Sequence, residues 1–236
     1  NDDGNEYCFI LSGTDAYDGT TTPIVKYPKI TSFLGVKDNN VAGFTLCHDK
    51  VDTNAKLPET LKFEDVNFTA DLIFDFAAAT SAGKIGAELD EWTLKDCEFI
   101  SDPGASKYTR VYGYGGNTQS TQPYTFSSKK VTVDNCVFGD TTPSSTHSQF
   151  LLDAQYFVSD EIKIVNSAFN NSDYNCIQVQ KNTTCKLNVE DNIFSHSNNR
   201  AMRISTREIE DKENPKPFQP IVFKNNLFID CCDSGQ

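Results

Sequence analysis

Apolar and polar residues alternate along this chain in short bursts, and six of those bursts share one frame. They read LKFEDVNF from residue 61, WTLKDCEF from 92, VTVDNCVF from 131, IKIVNSAF from 162, LNVEDNIF from 187 and IVFKNNLF from 221. Positions one and three are apolar around a residue that is polar or small in most copies, the period of a strand with one buried face. Position five is always Asp or Asn, the residue types that tolerate left-handed backbone and bond their own main chain in turns. Position eight is always Phe, a large side chain at a fixed distance from that turn. A looser copy, LGVKDNNV from residue 34, keeps the spacing with Val41 in the last place.

The octads begin 31, 39, 31, 25 and 34 residues apart, a solenoid-like period with loops of unequal length. Between them a second strand-like segment recurs: DLIFDF (71–76), RVYGY (110–114), QFLLDAQ (149–155), NCIQVQ (175–180) and RAMRIS (200–205). A unit of two short strands and a turn cannot bury its apolar face alone, so the units are expected to stack as parallel strands around an elongated core. Parallel crossovers favour a right-handed sense. The expected fold is therefore all-β, one domain over 1–236, with a less regular part over about 1–33 and repeats from about 34 to 230.

The octad resembles the coil signature of the pectate-lyase-like right-handed parallel β-helix superfamily, in which Asn or Cys side chains stack beside the turn. The resemblance covers roughly residues 30–230 and implies a solenoid of about seven coils. It does not imply one activity, because that superfamily includes polysaccharide lyases, glycoside hydrolases, adhesins and other surface domains. A lyase of this kind needs a cation or cationic side chain at the uronate and a base near the abstracted proton. Arg203 and Arg200 are the cationic candidates, and Asp153 or Asp173 the carboxylate that would hold Ca²⁺. The Arg-x-Pro-x-x-Arg element of pectate lyases does not occur in the chain, nor do the Asn-Thr-Asp and Arg-Ile-Lys strings of polygalacturonases.

If the second strands turn Ile177, Val179, Met202 and Ile204 inward, alternation turns Gln178, Gln180 and Arg203 outward. The same phase gives an outward stripe of Asp75, Tyr112 or Tyr114, Asp153, Gln178 and Arg203, flanked by Arg110 and Arg200. Aromatic faces beside amides, a carboxylate and guanidinium groups suit a carbohydrate, whose rings stack while its hydroxyls hydrogen-bond. An ordinary solvated face reads the same way, and the sequence weighs the two about evenly.

Composition narrows the partners. With 33 acidic residues against 21 Lys and Arg, a formal charge of −12 disfavours nucleic acid and anionic membrane surfaces. No long apolar run suggests direct membrane insertion. The eight cysteines lack zinc spacing. Cys97 and Cys136 share the sixth octad position, which favours free structural thiols over bridges, with Cys176–Cys185 and Cys8–Cys47 as the alternative pairs. Asn67, Asn170 and Asn182 head N-x-S/T sequons. His48, His147 and His196 fall in different repeats, VYGYGGN (111–117) lacks the context of a phosphate loop, and REIEDKENPKP (207–217) reads as a solvated insertion.

The expectation is a secreted or cell-surface protein that binds polysaccharide or host glycan without turning it over, with no cofactor and no confident metal site. A polysaccharide lyase or glycoside hydrolase, with Ca²⁺ if a lyase, is the alternative. A structural or adhesive spacer within a longer surface protein is the third reading.

Overall fold

The structure is a computed structural model that describes residues 7–11, 24–26, 30–35, 40–41, 44–47, 60–75, 88–100, 111–113, 126–139, 148–153, 157–180, 186–205 and 219–232. These residues hold strands, turns and bends and no helix. Every strand pair is parallel, and the strands fall into three sheets.

Positions one to four of each octad lie in a long sheet of eight strands. In order these are Tyr7–Leu11, Ile30–Gly35, Thr60–Glu64, Glu88–Lys95, Phe126–Asp134, Phe157–Val165, Lys186–Glu190 and Ile221–Lys224. Positions seven and eight form a second, short sheet from Asn40–Val41 through Asn67–Phe68, Glu98–Phe99, Val137–Phe138, Ala168–Asn170 and Ile193–Ser195 to Leu227–Ile229. The segments between octads make a third, return sheet: Ile24–Lys26, Phe44–Cys47, Leu72–Asp75, Val111–Gly113, Ser148–Asp153, Ser172–Gln180 and Arg200–Ser205. Each octad therefore supplies two strands, and the repeats stack strand on strand. This order is consistent with a parallel β-solenoid.

The fifth position is what splits the octad. Asp65, Asp96, Asn135, Asn166, Asp191 and Asn225 all have φ between 52° and 58°, the left-handed region that Asp and Asn enter at least cost after Gly. Each of the first five amides then donates to the position-four carbonyl of the following repeat, at 3.0–3.2 Å, as Asp96 N does to Asp134 O. The corner is thus stapled to its neighbour by the main chain.

One apolar cluster takes residues from all three sheets, including Phe63, Phe68 and Leu72. Register keeps like on like: Leu61, Trp92, Val131, Ile162, Leu187 and Ile221 form one row of partners. The position-eight rings form a column from Phe68 through Phe99, Phe138, Phe169 and Phe194 to Phe228, with centroids 4.7–5.2 Å apart and planes within 11°. That separation is the strand spacing itself, so identical side chains in identical rotamers stack face to face. Burial of one such ring stabilises by roughly 1.5–3 kcal/mol.

The first copy departs from its expected frame. Phe33 pairs with Phe63 and Leu34 with Glu64, while Val41 pairs with Phe68. Leu34 therefore stands at position four, not position one, and the repeat carries extra residues between Leu34 and Asn40. Phe33, stacked on Phe63 at 4.7 Å, is the side chain that outweighed the spacing rule. Gly35 is needed beside it: a Cβ there would stand 1.7 Å from the carbonyl oxygen of Asp65.

Candidate functional site

The return sheet brings four residues of the expected stripe into one backbone register. Its register pairs Tyr112 with Asp153, Asp153 with Gln178 and Gln178 with Arg203, so these four residues occupy one row across four strands. At about 4.8 Å per strand the row is roughly 14 Å long. Asp75 is not in it. Tyr112 pairs with Ile73 on that side, and Asp75 pairs with Cys47 two residues further along. The offset arises because Val111 aligns with Leu72, which fixes the phase of the apolar residues and pushes Asp75 past the row.

Gln178 corrects the sequence expectation of an outward, solvated amide. Its neighbours Ile177 and Val179 are in the core as expected, but Gln178 is itself 2% exposed and its side-chain oxygen accepts from Asn175 Nδ2 at 3.1 Å. Asn175, fully buried, pairs with Arg200 in the next strand. Alternation says which side of a strand a residue leaves from; it does not say whether that side is covered. Gln178 is thus held in a buried hydrogen bond rather than offering its amide to solvent. Arg203 and Arg200 are partly exposed, Met202 packs on the core, and Ile204 is exposed where the pattern expected it inward.

The sheet places Tyr112, Asp153, Asp173 and Gln180 by backbone register, and their side chains lie outside the described set. Arg110, Tyr114, His48, His147, Cys185, Asn182, residues 207–217 and most of the Gly-rich stretch also lie outside the described residues. His196 is exposed, 3.8 Å from the carboxylate of Asp230. Among the described residues no group of three His, Cys, Asp or Glu side chains is placed to hold a metal ion.

A polar column that the sequence only hinted at runs beside the Phe column. Position six is occupied in turn by Val66, Cys97, Cys136, Ser167, Asn192 and Asn226. Cys136 N donates to Ser167 Oγ at 3.1 Å, Ser167 N to Asn192 Oδ1 at 2.9 Å and Asn192 N to Asn226 Oδ1 at 3.0 Å. The same asparagines donate backward, Asn192 Nδ2 to Ile164 O and Asn226 Nδ2 to Val189 O. A hydrogen bond with Cys97, and then burial, push the Cys136 thiol well above its ordinary range. Burial does the same to Cys176, helped by nearby Cys231. Cys97, Cys136, Cys176, Cys231 and Cys232 are all free thiols, so Cys176 is not half of a bridge.

Asn170 is likewise inward-held: it is 6% exposed and accepts from Ser195 Oγ at 2.6 Å, so this sequon is closed in the folded chain. The outer face of the long sheet is different again, a lattice of paired charges. Glu64 accepts from both Lys62 and Lys95, Glu91 from Lys130 and Glu161 from Lys186. Much of the charge there is internally matched. No family model, curated protein or solved structure matches the chain.

Proposed function

We propose that this chain is a right-handed parallel β-helix of the pectate-lyase-like kind, with about seven coils, that is secreted or displayed at a cell surface and binds polysaccharide or surface glycan along its return sheet. The observation that carries the reading is the single row Tyr112–Asp153–Gln178–Arg203. A phenol and a carboxylate on adjacent strands, with a guanidinium two strands further on, are residue types that stack on sugars and hydrogen-bond their hydroxyls, which suits a polymer lying along the axis. Gln178, between Asp153 and Arg203 in the register, is itself buried. The row itself contains one carboxylate, whereas glycoside hydrolysis generally takes two flanking the scissile bond, so binding is a better fit than hydrolysis.

The test is retention on immobilised acidic and neutral polysaccharides, run with Tyr112→Ala and Arg203→Ala, and parallel assays for unsaturated uronides and new reducing ends with and without Ca²⁺. Retention that both substitutions weaken, with no product, is the expected result. Product lost in Arg203→Ala would replace this reading with a lyase or hydrolase. Neither retention nor product across the panel would leave a structural spacer.

A further inference from the structure

The N-x-S/T sequons are not equivalent once the chain is folded. Asn67-Phe68-Thr69 begins with the short strand Asn67–Phe68, whereas Asn170-Asn171-Ser172 runs from Ala168–Asn170 into the return strand Ser172–Gln180. A glycan is bulky and hydrophilic, so a folded chain carries one only where the asparagine ends on the surface.

Asn67 stands at position seven of its octad, between buried Val66 and buried Phe68, and is itself half-buried. Alternation therefore sends its side chain from the outer face of the short sheet. Its partners on the two flanking strands, Asn40 and Glu98, are polar and exposed. The same row continues through Val137 and Ala168 to Ile193. Asn67 thus lies at the polar end of that face, where a sugar displaces no apolar packing. Because Asn40–Val41 and Glu98–Phe99 flank its strand on both sides, its exposure is not that of a sheet edge.

Asn170 differs on each count. It is buried and its Oδ1 accepts from Ser195 Oγ at 2.6 Å. Asn171 and Ser172, which complete its sequon, are buried as well. A sugar on this amide would have to be buried with it or break that bond.

We propose that Asn67 is an N-glycan acceptor and that the fold excludes Asn170 from that role. In the transfer, Nδ2 of Asn67 attacks C1 of a lipid-diphosphate-linked oligosaccharide. The new C–N bond forms as the C1–O bond to the diphosphate breaks; the amide gives up one proton and the lipid diphosphate leaves. Transfer acts on the unfolded chain, so the structure selects afterwards: a glycan on Asn67 stands outside the sheet, and one on Asn170 keeps its corner from closing. The proposal shares with the glycan-binding reading only the premise of export. Neither asparagine belongs to the row on the return sheet, so binding can fail with Asn67 modified, and the reverse.

The test passes the full chain through a eukaryotic secretory pathway behind a cleavable leader and maps the folded protein recovered from the medium. Peptide N-glycosidase in heavy-oxygen water is expected to mark Asn67 as a converted, labelled Asp and to leave Asn170 unlabelled. The part of the glycosidase-sensitive mobility shift that belongs to Asn67 should be lost in Asn67→Gln and kept in Asn170→Gln. Made without export, hence without glycan, Asn67→Gln should melt with the parent and Asn170→Gln below it. Asn67 unlabelled, Asn170 labelled in folded exported protein, or equal melting of the two variants would each overturn the proposal; mapping of the parent needs no variant and stands if one misfolds.

Discussion

The ring of Phe138 lies 4.7 Å from that of Phe99 with the planes 3° apart, and its other face meets Phe169 at 4.8 Å. A side chain stacked on both faces cannot be replaced by relaxation of one neighbour. Phe138→Ala is expected to cost about 3–5 kcal/mol in urea unfolding, a large share of a typical domain's stability. Phe228→Ala, at the half-covered end of the same column, should cost clearly less. Equal costs would mean that the column does not pack as described.

Asn192 bonds in three directions: it accepts from Ser167 N and donates to Ile164 O and to Asn226 Oδ1. Asn192→Leu keeps the volume and strands a buried amide and a buried carbonyl. The expected loss is about 3 kcal/mol, against about 1–2 for Ser167→Ala, which orphans Cys136 N and removes the bond to Val165 O, a carbonyl that keeps its bond from Asn135 N. The comparison of the two midpoints is the measurement, and a reversed order would refute the relay.

Gly35→Ala tests the corrected frame of the first repeat. The added carbon would meet backbone atoms of Asp65 and Val66, which cannot swing aside as a side chain would. A loss of about 2 kcal/mol or more is expected. A neutral substitution would restore the alternative frame with Leu34 at position one.

Glu64 gives the outer lattice a pH signature. Hydrogen bonds from Lys62 and then Lys95 hold its carboxyl below the ordinary 4.5. A depressed folded value means that the contribution is complete above 4.5 and is lost as pH falls through the lower, folded value. Because both lysine side chains are half-exposed, the effect is small and shrinks in high salt. Glu64→Gln should therefore be slightly less stable at neutral pH and show a flatter decline in acid, read from melting temperatures across pH.

Thiol reactivity should divide by burial and pKa together. In the native protein at about pH 8, an alkylating reagent is expected to reach exposed Cys232 first and to spare Cys97, Cys136 and Cys176, whose thiols are buried. Peptide mapping after labelling reads each site separately. Rapid labelling of Cys136 without unfolding would contradict its place beside Cys97.

The fold was largely written in the octads, because a stack repeats its demands. Alternation marked the strands, Asp and Asn marked the left-handed corner, and the invariant Phe marked the column. The first repeat misled because spacing was matched where packing decides: Phe33 on Phe63 set the register, and the extra residues fall in the sequence between Leu34 and Asn40. The candidate row was legible only as far as strand partners go. Which residues share a row follows from apolar phase, but alternation did not reveal that Gln178 is buried and bonded to Asn175.

That same corner lets the chain forget its errors of length. Leu34 and Asn40 are separated by more residues than Glu64 and Asn67, yet Val41 still lands on Phe68. Each repeat takes its alignment from the rung below rather than from a count along the sequence, so an inserted residue is expelled sideways and the next rung starts afresh. Material can therefore be added at the corners or between octads without shifting the ruler, whereas a single residue added within positions one to four would turn every side chain of that strand to the wrong face.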